Sequence, residues 1–254
     1  MHSLFHHNAS HPAPSVEPVP TVFPTIAGAD IASVFVGKRV AGDFYDSIRV
    51  SPERVLFGLL DVAGRREDNR SILSAAQNIF RTLGPELFSR EDINESNAMT
   101  ELSLRINRGL IETSTGVHPC PAFIACYHEG FGTLCYTNAG HTSGLLRDGK
   151  GIVELPSTGL PLGLFSHATC DAPTIGMEKG AALLLVSRGV VEFGDRHDKS
   201  EEEFGLKRVK DLLQTAPLIG SQTLCVAIMD AVDAFVDGTQ LYNDRTAMAL
   251  IRTV

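Results

Sequence analysis

Apolar and polar positions alternate along the chain in a way that predicts a mixed α and β fold. Residues 40–50 and 54–62 are β-rich runs, and Ser51-Pro52-Glu53 between them has the chemistry of a hairpin turn. Ile72, Ala75, Ala76, Ile79, Phe80, Leu83 and Leu87 then recur at helical spacing, which predicts a helix over 70–88. Leu102, Ile106 and Leu110 mark the apolar stripe of a second helix. Residues 122–128 and 133–139 read as a second hairpin about Glu129-Gly130. Shorter strands are expected at 143–146, 152–155, 170–175 and 181–187, helices at 206–213 and 222–236, and a closing strand at 246–252. Hairpins interrupted by helix pairs, without β-α-β alternation, predict an α+β architecture of two mainly antiparallel sheets covered by helices.

Residues 1–24 carry no period and are rich in Pro, His and Ser, so they read as a flexible leader ahead of one domain over 25–254. His2, His6, His7 and His11 fall in that leader, where nothing fixes a metal geometry. At 43% hydrophobic and 20% charged, the chain can bury a sizeable core, which excludes disordered, collagen-like and coiled-coil classes. Its 22 Lys and Arg against 30 Asp and Glu leave a net charge of −8, which argues against a nucleic-acid partner and suits carboxylates that hold cations.

The five cysteines, Cys120, Cys126, Cys135, Cys170 and Cys225, form no C-x-x-C pair and read as reduced, buried thiols. No apolar run nears the roughly 20 residues that span a bilayer, and the first residues lack a signal-peptide pattern. The expected location is the cytoplasm, with no membrane partner.

Chemistry enters at the first hairpin. With its turn centred near Pro52 and Glu53, facing residues have numbers summing to about 105, so Asp43 faces the neighbourhood of Asp61 and Val62. Two carboxylates held so closely across a sheet repel each other unless a cation lies between them. A one-residue bulge would turn either side chain to the other face, and two exposed loop acids are the alternative. Asp43 sits in Ala-Gly-Asp-Phe-Tyr-Asp and Asp61 in Leu-Leu-Asp-Val-Ala-Gly-Arg. Acids at strand ends beside small residues suit hard cations such as Mg²⁺ or Mn²⁺.

Val40-Ala41-Gly42-Asp43-Phe44-Tyr45-Asp46 resembles the V-G-G-D-F-Y-D signature of the SpoIIE/RsbU-type phosphatases, within the metal-dependent protein phosphatase 2C-like (PPM) superfamily. Asp61-Val62-Ala63-Gly64 resembles its D-V-S-G, Asn138-Ala139-Gly140-His141 its N-A-G-H, and Gly159-Leu160-Pro161-Leu162-Gly163 its G-x-P-L-G. Ser187-Arg188-Gly189-Val190-Val191-Glu192 stands where the family has T-D-G-V-T-E, and Asn243-Asp244-Arg245-Thr246 where it has D-D-x-T.

The resemblance implies a four-layer α-β-β-α sandwich with one or two Mn²⁺ or Mg²⁺ ions between the sheets. It implies phosphoserine or phosphothreonine hydrolysis by a metal-activated water, so that no side chain acts directly as a catalyst. Carried over, Asp43 holds one metal, Asp61 bridges the pair, the Val62 carbonyl completes a ligand set and Asp244 holds the second metal. Asp46 becomes an outer-shell candidate, and Asn138 and His141 shape a loop. The implied partner is a phosphorylated regulatory protein of the anti-sigma-factor antagonist class, with regulation by a separate protein or by homodimerisation.

Arg188 departs from this pattern, because the family has a metal-binding Asp there. The exchange changes the local charge by two units, and a guanidinium cannot be neutralised by losing its proton. Asn243 removes another acid, and Arg65-Arg66 replace a small or Gly-containing turn. Two readings follow. In one, the metals remain and Arg188 turns away or grips substrate phosphate. In the other, the domain is a pseudophosphatase that binds proteins. Arg65, Arg66, Arg70 and Arg188 form an anion-binding patch, or the first three a solvated helix start in which Asp68 and Asn69 are caps.

Overall fold

The computed structural model describes residues 18–37, 42–62, 66–114, 116–192, 203–236 and 243–254, with no side-chain description for 66–68. His2, His6, His7, His11, Val40, Ala41, Ala63, Gly64 and Arg65 lie outside those residues, as do the side chains of Arg66 and Asp68.

Among the described residues, ten strands form two antiparallel five-stranded sheets. One contains β1 (Ala29–Val36), β10 (Arg245–Arg252), β9 (Ala182–Val186), β6 (Gly144–Asp148) and β7 (Gly151–Leu155) in that order. The other contains β2 (Gly42–Ser51), β3 (Arg54–Val62), β4 (Ala122–His128), β5 (Thr133–Ala139) and β8 (Thr174–Gly176). Helices α1 (Arg66–Phe88) and α2 (Glu95–Thr113) cover the outer face of the β2–β8 sheet, while α3 (Arg188–Val191), α4 (Gly205–Thr215) and α5 (Ser221–Val236) cover the β1–β7 sheet. The expected four-layer α-β-β-α sandwich is the observed one.

Strand parity builds these layers. On β3, Val55, Phe57 and Leu59 point between the sheets, where they meet Leu183 and Leu185 of β9 and Met248 and Leu250 of β10. Leu56 and Leu60 point the other way, into the α1–α2 layer with Phe80 and Ile106. Both faces of β3 are covered, which explains why its sequence is a nearly continuous apolar run. Continuing the period of two, Asp61 belongs to the inter-sheet face.

Several boundaries differ from the sequence reading. Strand β1 and the short α3 were not anticipated, because neither has enough alternation or length to carry a period. Of the run expected at 170–175, only Thr174 and Ile175 pair, within the described strand Thr174–Gly176. Helix α1 begins at Arg66, so Asp68 and Asn69 lie inside its first turns and do not cap it from outside. All five cysteines are free and buried.

The last residues of the expected leader are anchored. Val19 donates to and accepts from the Gln77 side chain, Thr21 bonds Asp46, and Phe23 stacks on Tyr45. This strap and α1 converge on Asp46, which is 2% exposed. Arg81 grips both oxygens of Asp46, with Nε to Oδ2 at 2.7 Å and Nη2 to Oδ1 at 2.9 Å, and Gln77 adds a third bond at 3.1 Å. Removing the cation strands a buried carboxylate. Arg81→Met is expected to lower stability by about 2–3 kcal/mol, read as a lower urea midpoint with an unchanged slope.

Candidate metal centre

The hairpin register brings the two acids together. Pairing runs Arg49 with Val55, Tyr45 with Leu59 and Asp43 with Asp61, whereas Ser51 pairs with Arg54. The irregularity between Arg49 and Ser51 shifts the register by one residue. Without it Asp43 would face Val62, and the two carboxylates would lie on opposite faces. The Asp61 N–H donates to the Pro121 carbonyl at 2.8 Å, on the β4 side, so Asp43 and Asp61 are a non-hydrogen-bonded pair. Such pairs have Cα atoms about 4.5 Å apart and their side chains close together.

Three groups approach from the facing sheet. Thr246 Oγ1 donates to Asp43 Oδ2 at 2.8 Å, and the Ser187 side chain also bonds Asp43. Ser187 Oγ accepts from the Thr246 N–H at 3.0 Å, which locks the two hydroxyl residues together. Asp244, 3% exposed, is packed between glycines. A Cβ on Gly37 would lie 2.3 Å from its Oδ1, and one on Gly189 would lie 2.1 Å from its carbonyl oxygen. Val62 is fully buried at the end of β3.

Electrostatics mark this end of the sandwich as strained toward the neutral state. Burial first, then the charge of Asp61, push the Asp43 carboxyl up to about 7, with Asp244 adding to the rise and the Ser187 and Thr246 hydroxyls opposing it. A cation between Asp43 and Asp61 would reverse that effect. A second ion meets a different environment. Arg188 Nε lies 3.7 Å from Asp61 Oδ2 and 3.8 Å from Glu192 Oε2. Among the described residues, no three His, Cys, Asp or Glu side chains gather closely enough to hold an ion.

Asn138 and His141 build the adjoining turn. Asn138 Oδ1 accepts from the His141 N–H at 2.8 Å, and its Nδ2 donates to the Leu155 carbonyl at 3.2 Å. His141 Nδ1 lies 3.1 Å from the Thr142 carbonyl, which can only accept, so Nδ1 carries the proton. Nε2 then bears a lone pair and, among the described residues, has no hydrogen-bond partner in its buried setting. Burial lowers the His141 pKa, against the Thr142 bond and the Asp61 charge.

Asp46 is the correction among the site candidates. It lies three residues from Asp43 and therefore on the opposite face of β2, where α1 satisfies it. It cannot reach the inter-sheet acids. Conversely, Ser187 and Thr246 were given no role from the sequence. Both stand inside quoted motifs at the positions that face Asp43, and strand parity was the available signal.

The ordinary value for Asp43 is 3.8, so between about pH 4 and 7 the folded chain binds a proton that the unfolded chain has released. Stability contributed by this group is therefore lost as pH rises through that window. In EDTA, the urea midpoint of the wild type should fall from pH 5 to 8 more steeply than that of Asp43→Asn. Equal slopes for the two proteins would refute the assignment.

Known proteins share this fold. A profile of the family described as Stage II sporulation protein E (SpoIIE) matches residues 51–253. Among curated proteins, no sequence matches significantly. The fold is similar to that of the RsbU and RsbW domains of Rv1364c from Mycobacterium tuberculosis, at 20% identity and TM-score 0.72, covering 91% of this chain and 63% of that one. It is also similar to the PP2C phosphatase domain of SpoIIE from Bacillus subtilis with a fragment of its regulatory domain, at 15% identity and TM-score 0.69, covering 88% and 63%. RsbX in complex with magnesium aligns at 15% identity and TM-score 0.58, covering 87% and 94%. The chain thus spans less than two thirds of the first two structures. With the SpoIIE profile matched over most of its length, the chain belongs to the SpoIIE family, and its fold is that of the PP2C-type phosphatase domains it resembles.

Proposed function

We propose that this chain is a metal-dependent phosphoserine or phosphothreonine phosphatase acting on a regulatory phosphoprotein. The observation that carries this reading is the Asp43–Asp61 pairing, two acids that share one strand register and face the same buried space. Asp43 and Asp61 would hold Mn²⁺ or Mg²⁺ together with the Val62 carbonyl, and Asp244 would serve a second ion. When bound, such a cation supplies Lewis acidity that makes a water nucleophilic toward phosphorus. Thr246 and Ser187 fix the Asp43 oxygens, so the acid meets the cation without reorganising. Arg188, about one third exposed, suits the phosphate of the substrate, because its planar fork matches phosphate oxygens. RsbX, bound to magnesium, supports the choice of a hard cation. The RsbU and RsbW domains that share one structure support a partner of the anti-sigma-factor antagonist class.

The Arg188–Asp61 contact favours a second reading. A guanidinium at 3.7 Å competes with a cation for the same carboxylate, which would leave a catalytically silent, protein-binding domain.

Hydrolysis of a phosphoserine peptide, followed across Mn²⁺ and Mg²⁺ titrations, separates the two. The active reading expects metal-dependent turnover that falls at least about a hundredfold in Asp61→Asn. Absence of turnover at millimolar metal would favour the silent domain. Arg188→Asp is expected to tighten Mn²⁺ binding by about tenfold or more, since a cation is exchanged for a carboxylate beside Asp61. Isothermal titration measures that change whether or not the protein turns over, and an unchanged affinity would show that Arg188 does not compete with the metal.

A further inference from the structure

Beside the metal centre, residues 157–165 form a loop fixed far more firmly than its exposure suggests. Gly159 bridges to Ala139, and the Thr158 N–H donates to the Asn138 carbonyl at 2.8 Å. Leu162 and Cys120 exchange backbone hydrogen bonds at 2.8 and 3.1 Å, one residue before the Pro121 carbonyl that holds Asp61. Pro161 packs against Gly140, where an added Cβ would lie 2.5 Å from its Cγ. The loop therefore shares its supports with both Asp61 and the Asn138–His141 turn.

Asn107 of α2 pins the far side of this loop. It is fully buried, its Oδ1 accepts from the Gly163 N–H at 2.8 Å, and its Nδ2 donates to the Phe165 carbonyl at 2.8 Å. Burying an amide is favourable only when its bonds are made, and here both ends are spent on holding loop backbone. Yet the side chains that this pinned backbone presents are apolar and open to solvent. Leu160 is 52% exposed and Phe165 53% exposed. Val117, 71% exposed, lies on the facing segment, whose His118 carbonyl would sit 2.3 Å from a Cβ on Gly163.

We propose that Leu160, Phe165 and Val117 form a preformed apolar docking rim for the phosphoprotein substrate of the neighbouring centre, selecting phosphorylated residues flanked by apolar surface. This rests on the phosphatase reading above for the identity of its occupant. The phosphate is common to every candidate substrate and cannot discriminate among them, so selection has to come from contacts outside it. A rigid rim makes those contacts with little ordering cost, because its backbone is held before binding. Continuity favours a substrate over an unrelated partner, since the rim and Asp61 hang from the same 118–121 segment.

The test is binding, not turnover. Two fluorescein-labelled phosphoserine peptides, one flanked by leucines and one by serines, are titrated with the full chain in EDTA and followed by fluorescence anisotropy. The wild type is expected to bind the leucine-flanked peptide roughly tenfold more tightly. Leu160→Ser/Phe165→Ser is expected to erase that preference while keeping the wild-type thermal midpoint, because both side chains are exposed. Ile219→Ser, an exposed apolar residue outside the rim, should keep it. Equal affinity of the wild type for both peptides, or a preference that survives the double substitution, would overturn the proposal. Loss of metal-dependent turnover with the binding preference intact would instead count against the phosphatase reading alone.

Discussion

The chemistry of the site depends on one constraint, a strand register that holds Asp43 against Asp61 despite their mutual repulsion. Neither acid can move away from the other. Their strands are zipped by the β2–β3 ladder, the ladder is buried on both faces at β3, and the register is shifted by the irregularity near the hairpin end. The folded chain thus holds two carboxylates together by the cooperative packing of strands that bury Val55, Phe57 and Leu59 beneath them. Hydrophobic burial maintains the geometry, and the acids bear its electrostatic consequence.

The same parity explains why the site lies between the sheets. On four strands, the inward-facing row runs through apolar residues and then turns polar at one end: Leu59 to Asp61, Tyr45 to Asp43, Leu185 to Ser187, and Met248 to Thr246. The sandwich interior is apolar through most of its length and becomes a cluster of side-chain oxygens where four strand ends meet. Arg188 enters from the helix that begins directly after Ser187, so its position follows from where β9 stops. A single substitution at that helix start changes the charge balance of the cluster without disturbing a strand.

Much of this was legible from the amino-acid order. The long helices, the hairpins and the pairing of Asp43 with the neighbourhood of Asp61 followed from period and turn chemistry. Three features did not. The one-residue shift near Val50 leaves no mark in the alternation of polar and apolar residues, although it decides which face Asp43 uses. Asp46 looks equivalent to Asp43 in the motif, yet only the position of α1 reveals that Arg81 satisfies it. Glu192 is distant in sequence from Asp61, and a four-residue helix is too short to announce that Arg188 links them.

The irregularity near Val50 has a consequence for how this chain can change. Hairpin tips are ordinarily where insertions and deletions are absorbed, since they lie at the surface and carry few contacts. Here the count of residues between Arg49 and Val55 sets the face on which Asp43 emerges. One residue more or fewer at a solvent-exposed turn would leave the hydrophobic layers with a mismatched partner and the two acids on opposite sides of a sheet. Loop length at this tip is thereby tied to the chemistry at the other end of the strands.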